Sequence, residues 1–358
     1  MKKILVVDDS ALMRRVMCDI INADERFCVV DRATNGEEAL ALLISNTYDA
    51  VILDINMPKM NGLELLKELQ NRKIIARVIV ASTDTREGEQ ITLDALSLGA
   101  IDFLHKPDNP MECKTGKFGI KLINILATVC ESKVSAFEEN SQSREQRKAD
   151  IQKLAELASK ASKNITMKQI VAIASSTGGP RALQDVIPQL PKGLKAPVVL
   201  VQHMPAGFTK SLAQRLDSLS EIEVSEAEDG EILKNGHVYI ARGGAHLNVD
   251  SQNGVYRIRY SDEPAREGVK PCANYMYESL MDSFADRIVC VVMTGMGADG
   301  TKGITNLKTK KKTYVITQDE ESCTVYGMPK SAVAAGLSDQ VVTLKKIAQE
   351  IIMSVGTN

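Results

Sequence analysis

A serine at the start of a glycine-rich turn lies in a context that suits nucleophilic chemistry. Ser176 belongs to the sequence S-S-T-G-G-P, which follows the apolar run 170–174 and precedes a helical pattern at 181–187. Such a strand, turn and helix start would expose a side chain above the sheet edge and direct backbone N–H groups towards an oxyanion or a phosphate. The loop lacks both the lysine of a nucleotide-binding loop and the G-x-S-x-G of common hydrolases, so taken alone it leaves both ligands open.

The base that a serine nucleophile needs could come from one of four histidines, which are His105, His203, His237 and His246. His203 directly follows the apolar run 198–202, which places it at the carboxyl end of a strand beside Ser176 if the two strands pair. His237 lies at the start of a strand and therefore at the opposite edge of the sheet. His246 follows two glycines in a loop, where it is a weaker candidate than His203.

An aspartate at a third strand end could orient the histidine. Asp299 lies in the sequence T-G-M-G-A-D-G, which follows the apolar run 289–293. A carboxylate there would fix the imidazole ring and stabilise its charged form. Each residue alone has a more ordinary interpretation, a helix cap for Ser176 and a turn residue for Asp299. Their coincidence with His203 at three strand ends favours a serine hydrolase, although the chain order differs from that of α/β-hydrolases.

Polar residues also follow the apolar runs of the first hundred residues. They are Asp8, Asp9, Asp54, Ser82, Thr83 and Lys106. Three carboxylates meeting at one sheet edge would repel one another strongly without a divalent cation, and hard oxygen ligands suit Mg²⁺. With Mg²⁺ and Lys106 neutralising an incoming phosphoryl group, Asp54 could attack it as a carboxylate nucleophile and form an aspartyl phosphate.

Short apolar runs alternate with amphipathic stretches in both halves of the chain. The runs of the first half are 4–7, 28–31, 50–53, 78–81 and 101–104. Those of the second half are 170–174, 197–201, 238–241, 289–293 and 314–317. Helical patterns lie between them, for example at 10–22, with Ser10 as a possible cap, and at 36–45. The rhythm predicts an α/β fold, with a doubly wound parallel sheet in the N-terminal domain and a mainly parallel sheet in the C-terminal domain.

The segment 132–163 separates the two series. It is rich in Glu, Lys, Ser, Gln and Ala and lacks a bulky apolar cluster, which indicates a linker with helical propensity at 146–160. We therefore predict domains at 1–125 and 167–358, joined by a charged, partly helical linker at 126–166.

The composition excludes several classes of protein. A chain of 358 residues with 44% hydrophobic and 25% charged residues fits two globular domains and excludes disorder throughout. The formal net charge of -2 gives no general attraction for nucleic acid. The seven cysteines are scattered without metal-ligand spacing, so we expect them to be reduced. Because we find neither a signal peptide nor an apolar run of about 20 residues, we expect a cytoplasmic location without membrane insertion.

The N-terminal motifs carry a family resemblance. The sequences V-D-D-S-A-L-M-R, L-D-I-N-M-P-K-M-N-G-L and H-K-P make residues 1–110 similar to a response-regulator receiver domain. The resemblance implies Asp54 as the phosphoacceptor. It also implies that Asp8, Asp9 and the Asn56 backbone carbonyl, together with Asp54, hold Mg²⁺. Ser82 and Lys106 are implied to contact the phosphoryl group. Phe103 takes the place of the switch aromatic, although a plain core role remains open for it.

The C-terminal motifs carry a second resemblance. The sequences S-T-G-G, V-Q-H-M-P, T-G-M-G-A-D-G and Q-D-E-E-S-C-T-V-Y-G-M-P-K make residues 168–350 similar to the catalytic domain of chemotaxis protein-glutamate methylesterases, the CheB family. The resemblance implies Ser176 as nucleophile, His203 as base and Asp299 as the orienting acid. It further implies that Thr177 and Met296 help to form the site around the oxyanion. The implied substrate is a methylated glutamate on a chemoreceptor helix, and many family members also deamidate receptor glutamines.

Three departures from the family pattern bear on the site. The family usually shows G-A-S-T-G-G where this chain has A-S-S-T-G-G, so Ser175 places a second hydroxyl beside Ser176. The stretch V-K-P-C-A-N at 269–274 replaces H-R-P-S-V-D, and R-G-G at 242–244 replaces P-G-G. Substrate recognition is therefore less firmly predicted than the chemistry.

The two resemblances together predict a phosphorylation-activated methylesterase. The expected partners are methylated chemoreceptors and a chemotaxis histidine kinase as phosphoryl donor, and we expect no cofactor at the esterase site. Control is expected through occlusion of the active site by the unphosphorylated receiver. A general esterase or amidase with the same triad is the strongest enzyme alternative, and comparing methylated receptor with small esters separates the two. A non-catalytic interaction platform is the main alternative outside enzymes.

Overall fold

The computed structural model describes residues 1–82, 86–107, 116–132, 153–154, 156 and 168–358. The chain divides into two compact units, Met1–Glu139 and Asn140–Asn358. Each unit contains its own parallel sheet, so the prediction of two α/β domains is confirmed. The end of the first domain was predicted at 125, which falls inside a helix that continues to Glu131.

The first unit is built on a five-stranded parallel sheet. Its strands are β1 (Lys2–Val7), β2 (Phe27–Ala33), β3 (Ala50–Asp54), β4 (Val78–Ser82) and β5 (Asp102–His105). Its described helices are α1 (Ala11–Asn22), α2 (Gly36–Ser45), α3 (Gly62–Asn71), α4 (Arg86–Ser97) and α5 (Lys117–Glu131). The strand order is β2-β1-β3-β4-β5, so the chain winds one way from β1 to β2 and the other way from β3 to β5. The connections after β1 and β3 therefore leave in opposite directions, which opens a crevice at the carboxyl ends of these two strands.

The local sequence explains these elements. Every residue of β3 and β4 is buried, because a parallel strand covered by helices on both faces is apolar throughout. Ser10 caps α1 as predicted, since its side chain accepts a hydrogen bond from the Met13 N–H at 3.3 Å. Asn61 and Glu64 form a capping box at the start of α3, which fixes the loop after β3 that contains Asn56.

The second unit is built on a seven-stranded parallel sheet with an added hairpin. Its strands are β6 (Gln169–Ser175), β7 (Val198–Gln202), β8 (Glu223–Glu226), β9 (His237–Ile240), β10 (His246–Gln252), β11 (Val255–Ser261), β12 (Arg287–Val292), β13 (Lys312–Gln318) and β14 (Gln340–Val342). Its described helices are α6 (Gly179–Val186), α7 (Phe208–Leu219), α8 (Ala273–Ser279), α9 (Thr301–Lys308), α10 (Met328–Ala334) and α11 (Leu344–Val355). The sheet order is β14-β13-β12-β6-β7-β9-β8, and β10 pairs with β11 separately.

Strand β6 lies between β7 and β12, so three strand ends meet at one edge. The register pairs Ser175 with Gln202 and Ala174 with Val292. The condition on which His203 was placed beside Ser176, the pairing of the first two strands of this unit, is therefore met. His237 begins β9 at the opposite edge, also as predicted. The prediction that His246 lies in a loop was wrong, because it is buried as the first residue of β10 and pairs with Ser261.

Little of the predicted linker can be compared with the structure. Residues 153, 154 and 156 are helical, and the rest of the helix predicted at 146–160 lies outside the described residues. Among the residues that the structure describes, no helix has both the length and the apolar character of a membrane span.

Candidate active site

Ser176 leaves the end of β6 in a tightly bonded turn. Its N–H donates to the Thr294 carbonyl at 3.0 Å, and its own carbonyl accepts from the Gly179 N–H at 2.7 Å. The turn needs Gly178, whose φ of 76° lies in the left-handed region, and α6 begins at the next residue. Gly295 lies so close that a Cβ added there would be 2.7 Å from the Ser176 Cβ. The loop after β12 therefore packs against the serine.

The structure distinguishes the two adjacent serines. Ser175 is fully buried, and its hydroxyl donates to the Gln202 Oε1 at 2.7 Å. The amide nitrogen of Gln202 in turn donates to the Ser176 carbonyl at 2.9 Å. The extra hydroxyl is thus used to tie β6 to β7, whereas Ser176 is only half-buried at the strand end.

The structure brings together His203 and Asp299, which are 96 residues apart in the chain. Nε2 of His203 is 2.8 Å from Oδ2 of Asp299, and the two side chains are 9% and 3% exposed. The His203 N–H donates to the Ser175 carbonyl at 3.1 Å, which holds the histidine beside the serine turn. Because Nε2 is directed to the carboxylate, Nδ1 is the ring nitrogen left to act on a nucleophile.

Asp299 receives further hydrogen bonds from the start of α8. The N–H groups of Ala273 and Asn274 donate to it at 2.6 and 2.9 Å, and the thiol of Cys272 lies 3.0 Å from Oδ1. The N–H of Gly300 adds a bond of 2.9 Å. Burial alone would raise the pKa of Asp299, but the hydrogen bond with His203, its charge and the added donors together hold the pKa below its usual value. The carboxylate is therefore charged at neutral pH.

These donors were not predicted from the sequence. Backbone N–H groups have no residue signature, so Ala273 and Asn274 could not have been singled out by residue type. Cys272 lies in the stretch 269–274 that departs from the family pattern, and that departure was the available signal.

The two other residues predicted near the serine lie in the loops that adjoin it. The Thr177 carbonyl accepts a hydrogen bond from the Thr294 hydroxyl at 3.0 Å, which ties the serine turn to the end of β12. Met296 follows Gly295, and its side chain is 47% exposed. Their roles around an oxyanion remain predictions.

The acidic cluster of the first unit lies at the crevice between β1 and β3. Nζ of Lys106 forms ion pairs with Asp8 at 2.7 Å and with Asp54 at 2.8 Å. Oxygen atoms of Asp8, Asp9 and Asp54 lie within 4.8 Å of one another, which suits a hard cation. Burial raises the pKa of Asp54, against the opposing charge of Lys106. A cation among the three carboxylates would favour the charged form of Asp54.

The remaining residues predicted for this cluster are placed as follows. The Ser82 hydroxyl is buried at the end of β4 and has no hydrogen-bond partner among the described residues, so it is available to a phosphoryl oxygen. Asn56 is exposed, two residues after Asp54. Phe103 is buried in β5, and its role as a switch remains a prediction. Thr83 lies outside the described residues.

Comparisons with known proteins agree with this architecture. Residues 171–351 match the CheB methylesterase family, and residues 4–115 match the response regulator receiver domain. A protein-glutamate methylesterase/protein-glutamine glutaminase of Geobacillus kaustophilus is 42% identical over 354 residues, which is 99% of each chain. The chain belongs to the CheB methylesterase family. A relative with the same description from Bacillus subtilis is 41% identical, again over 99% of each chain.

A solved structure of the family supports the fold of the second unit. The CheB methylesterase catalytic domain of Thermotoga maritima is 46% identical with a TM-score of 0.51. The match covers 52% of this chain and 99% of that domain. This member of the CheB family is therefore a hydrolase that combines a methylesterase domain with a response-regulator receiver.

Proposed function

We propose that the chain hydrolyses glutamate γ-methyl esters on chemoreceptors in chemotaxis adaptation, with Ser176, His203 and Asp299 as its catalytic residues. The observation that carries the proposal is the hydrogen bond of 2.8 Å between His203 and the buried Asp299, beside the turn that begins with Ser176. The names of the relatives at about 40% identity support the substrate class. We expect the protein to act in the cytoplasm.

The reaction proceeds through an acyl-enzyme. Nδ1 of His203 removes the proton from the Ser176 hydroxyl as the serine oxygen attacks the ester carbonyl. The tetrahedral intermediate collapses, the bond to the methoxy group breaks, and methanol leaves with the proton from His203. Water activated by the same nitrogen then attacks the acyl-enzyme and releases the glutamate carboxylate. The same attack on a side-chain amide releases ammonia, so the site also suits deamidation of receptor glutamines.

Two features of the site stabilise the charges that develop. The ionised Asp299 stabilises the imidazolium form of His203, and its own charge is shared with four donors. The N-terminus of α6, together with Thr177 and Met296, forms the site around the oxyanion.

The receiver controls this activity through phosphorylation of Asp54 by a chemotaxis histidine kinase. Asp8, Asp9, Asp54 and the Asn56 carbonyl would hold Mg²⁺. When bound, the ion supplies positive charge that stabilises the transferring phosphoryl group. Lys106 and the Ser82 hydroxyl contact the phosphoryl oxygens. The phosphoryl group adds about -1.5 to -2 of charge, which biases the receiver between two states and raises esterase activity.

Methanol release from methylated chemoreceptors tests the proposal. Ser176→Ala should lower kcat by about 10³-fold or more, because the nucleophile is lost. Ser175→Ala is the matched control, since it removes the neighbouring hydroxyl that serves Gln202, and it should retain most of the activity per folded protein. A Ser176→Ala protein with most of the wild-type rate would contradict the assignment. A higher kcat/KM for small esters than for methylated receptor would favour a general esterase.

A further inference from the structure

A buried thiol contacts the carboxylate of the proposed triad. Sγ of Cys272 lies 3.0 Å from Oδ1 of Asp299, and the cysteine is fully buried. Cys272 occupies the position at which the family pattern H-R-P-S-V-D has a serine. The chain has therefore exchanged one potential hydrogen-bond donor for a weaker one at this contact.

The protonation state of Cys272 suits a donor. Burial raises the pKa of the thiol to about 12, and the charge of Asp299 adds to the effect. The thiol therefore keeps its proton at neutral pH and can donate it to the carboxylate.

Cys272 is also fixed from its other side by His246. The Cys272 N–H donates to Nδ1 of His246 at 3.2 Å, and Nε2 of the same ring donates to the Pro264 carbonyl at 3.2 Å. His246 is fully buried at the start of β10. The hairpin therefore supports a chain of contacts that runs from His246 through Cys272 to Asp299 and His203.

We propose that Cys272 is a positioning residue that orients Asp299 and tempers its basicity through an S–H hydrogen bond. This inference rests on the proposed function, because it assigns Cys272 a part in the same triad. The thiol contacts neither His203 nor Ser176 in the described hydrogen bonds, so it acts through the carboxylate.

Asp299 also faces the titratable groups of His203 and Tyr277, and His246 reaches it through Cys272. The Tyr277 hydroxyl donates to the carbonyls of Ala172 and Val291, and burial raises its pKa. The other described hydrogen bonds to Asp299 come from backbone N–H groups. A substitution at Cys272 therefore removes a side-chain hydrogen bond to Asp299 while leaving His203 in place.

Removing the thiol should change the pH profile as well as the rate. When the Asp299 carboxylate loses one hydrogen-bond donor, less of its negative charge is offset by donors. It therefore stabilises the imidazolium form of His203 more strongly. In Cys272→Ala the acid limb of kcat/KM should therefore move to higher pH, and kcat should fall about tenfold with little change in KM. Cys272→Ser supplies a stronger O–H donor, so its acid limb should move to lower pH and its kcat should stay within about threefold of wild type.

Cys290→Ala is the matched control. Cys290 is fully buried in β12 with neighbours on β6 and β13, and no described hydrogen bond joins it to Asp299. Its substitution creates a similar cavity and should lower stability while leaving the pH profile and kcat per folded protein unchanged.

The experiment measures methanol release by these full-length variants and by Ser176→Ala, as ratios to wild type at each pH, with folded fractions from circular dichroism. Opposite shifts of the acid limb in Cys272→Ala and Cys272→Ser support the proposal. If Cys272→Ala does not fold, the shift in Cys272→Ser decides by itself. The positioning role is overturned if the pH profile of kcat/KM in Cys272→Ser matches that of wild type. It is also overturned if Cys272→Ala loses no more kcat than Cys290→Ala does. If Ser176→Ala is also active, the proposed function fails with it.

Discussion

Asp299 is the residue on which the electrostatics of the site depend. It is 3% exposed, yet His203 and the surrounding donors hold its pKa below the usual value in spite of burial. An aspartate whose pKa is lower in the folded chain stabilises the fold above its unfolded-state pKa. That contribution is lost as the pH falls through the lower, folded-state pKa. The charged form of Asp299 is therefore coupled to the stability of the fold as well as to catalysis.

Asp299→Asn tests this coupling. The variant should lose about 2 kcal/mol of unfolding free energy near pH 7. It lacks the negative charge of the carboxylate, and its amide NH₂ group faces the hydrogen-bond donors that surround Asp299. The difference from wild type should begin to shrink below about pH 4, where the aspartate of the unfolded chain becomes protonated, and should be lost as the pH falls through the lower pKa of the folded state. Urea denaturation of both proteins between about pH 3 and pH 7 measures it. A difference that stays constant over this range would mean that Asp299 is not held in its charged form.

At the scale of elements, helix α9 is capped by a residue of another helix. Its own N-cap, Gly300, has no side chain to supply a cap. Oδ1 of Asn274, in α8, accepts instead from the N–H groups of Gly300 at 3.1 Å and Gly303 at 2.6 Å. Because Asn274 also donates its backbone N–H to Asp299, the packing of α8 against α9 fixes the carboxylate.

Asn274→Ala should therefore destabilise the second unit by about 2 kcal/mol, since it leaves the buried Gly303 N–H without its acceptor and leaves the Gly300 N–H with Asp299 alone. It should also lower kcat, because Asp299 follows the displaced helix ends. Asn248→Ala is the control, as Asn248 donates to Ser261 within the β10–β11 hairpin. Thermal unfolding and methanol release of both variants provide the measurement. Equal losses in the two would show that the cap has no special link to the site.

The sequence predicts those elements whose burial is uniform. The runs 170–174 and 289–293 became β6 and β12 almost unchanged, because strands buried on both faces are apolar at every position. The hairpin strand that begins at His246 was missed, since only His246, Leu247 and Val249 of its seven residues are buried and polar residues interrupt the apolar pattern. Strand β8 was missed for a similar reason, because Val224 is its single buried residue and two of its other three residues are glutamates.

The site shows the same limit. Placing Ser176, His203 and Asp299 at one edge required only strand ends and parallel pairing, both of which a sequence encodes. The contacts that Asn274 and Cys272 make with Asp299 depend on how α8 packs after a long excursion of the chain. No local pattern specifies such packing, so only the fold reveals these contacts.

At the scale of the whole molecule, two independently built sheets divide regulation from catalysis. The second unit matches 99% of the Thermotoga maritima catalytic domain, whose structure was solved for that domain, so we expect the second unit to fold by itself. A fragment that begins at Met167 should therefore be active, and faster than the unphosphorylated full-length protein if the receiver restrains it. Methanol release by both proteins measures the effect. A fragment no faster than the full-length chain would count against inhibition.

The same division predicts the effect of Asp54→Asn. With Mg²⁺ and a small-molecule phosphoryl donor, wild-type activity should rise, whereas the variant should remain at the unstimulated rate because it lacks the phosphoacceptor. The fragment, which lacks the receiver, serves as the control and should not respond. Activation of the Asp54→Asn protein by the donor would place the phosphorylation elsewhere.

A double-mutant cycle on Ser176 and His203 shows whether the serine, the histidine and the aspartate act as one catalytic unit. Methanol release from methylated receptors is measured for Ser176→Ala, His203→Ala and the double variant. Residues that act as a unit are strongly non-additive, so the double variant should be within about threefold of Ser176→Ala. A double variant whose loss equals the product of the two single losses would show that Ser176 and His203 act independently and are not parts of one catalytic unit.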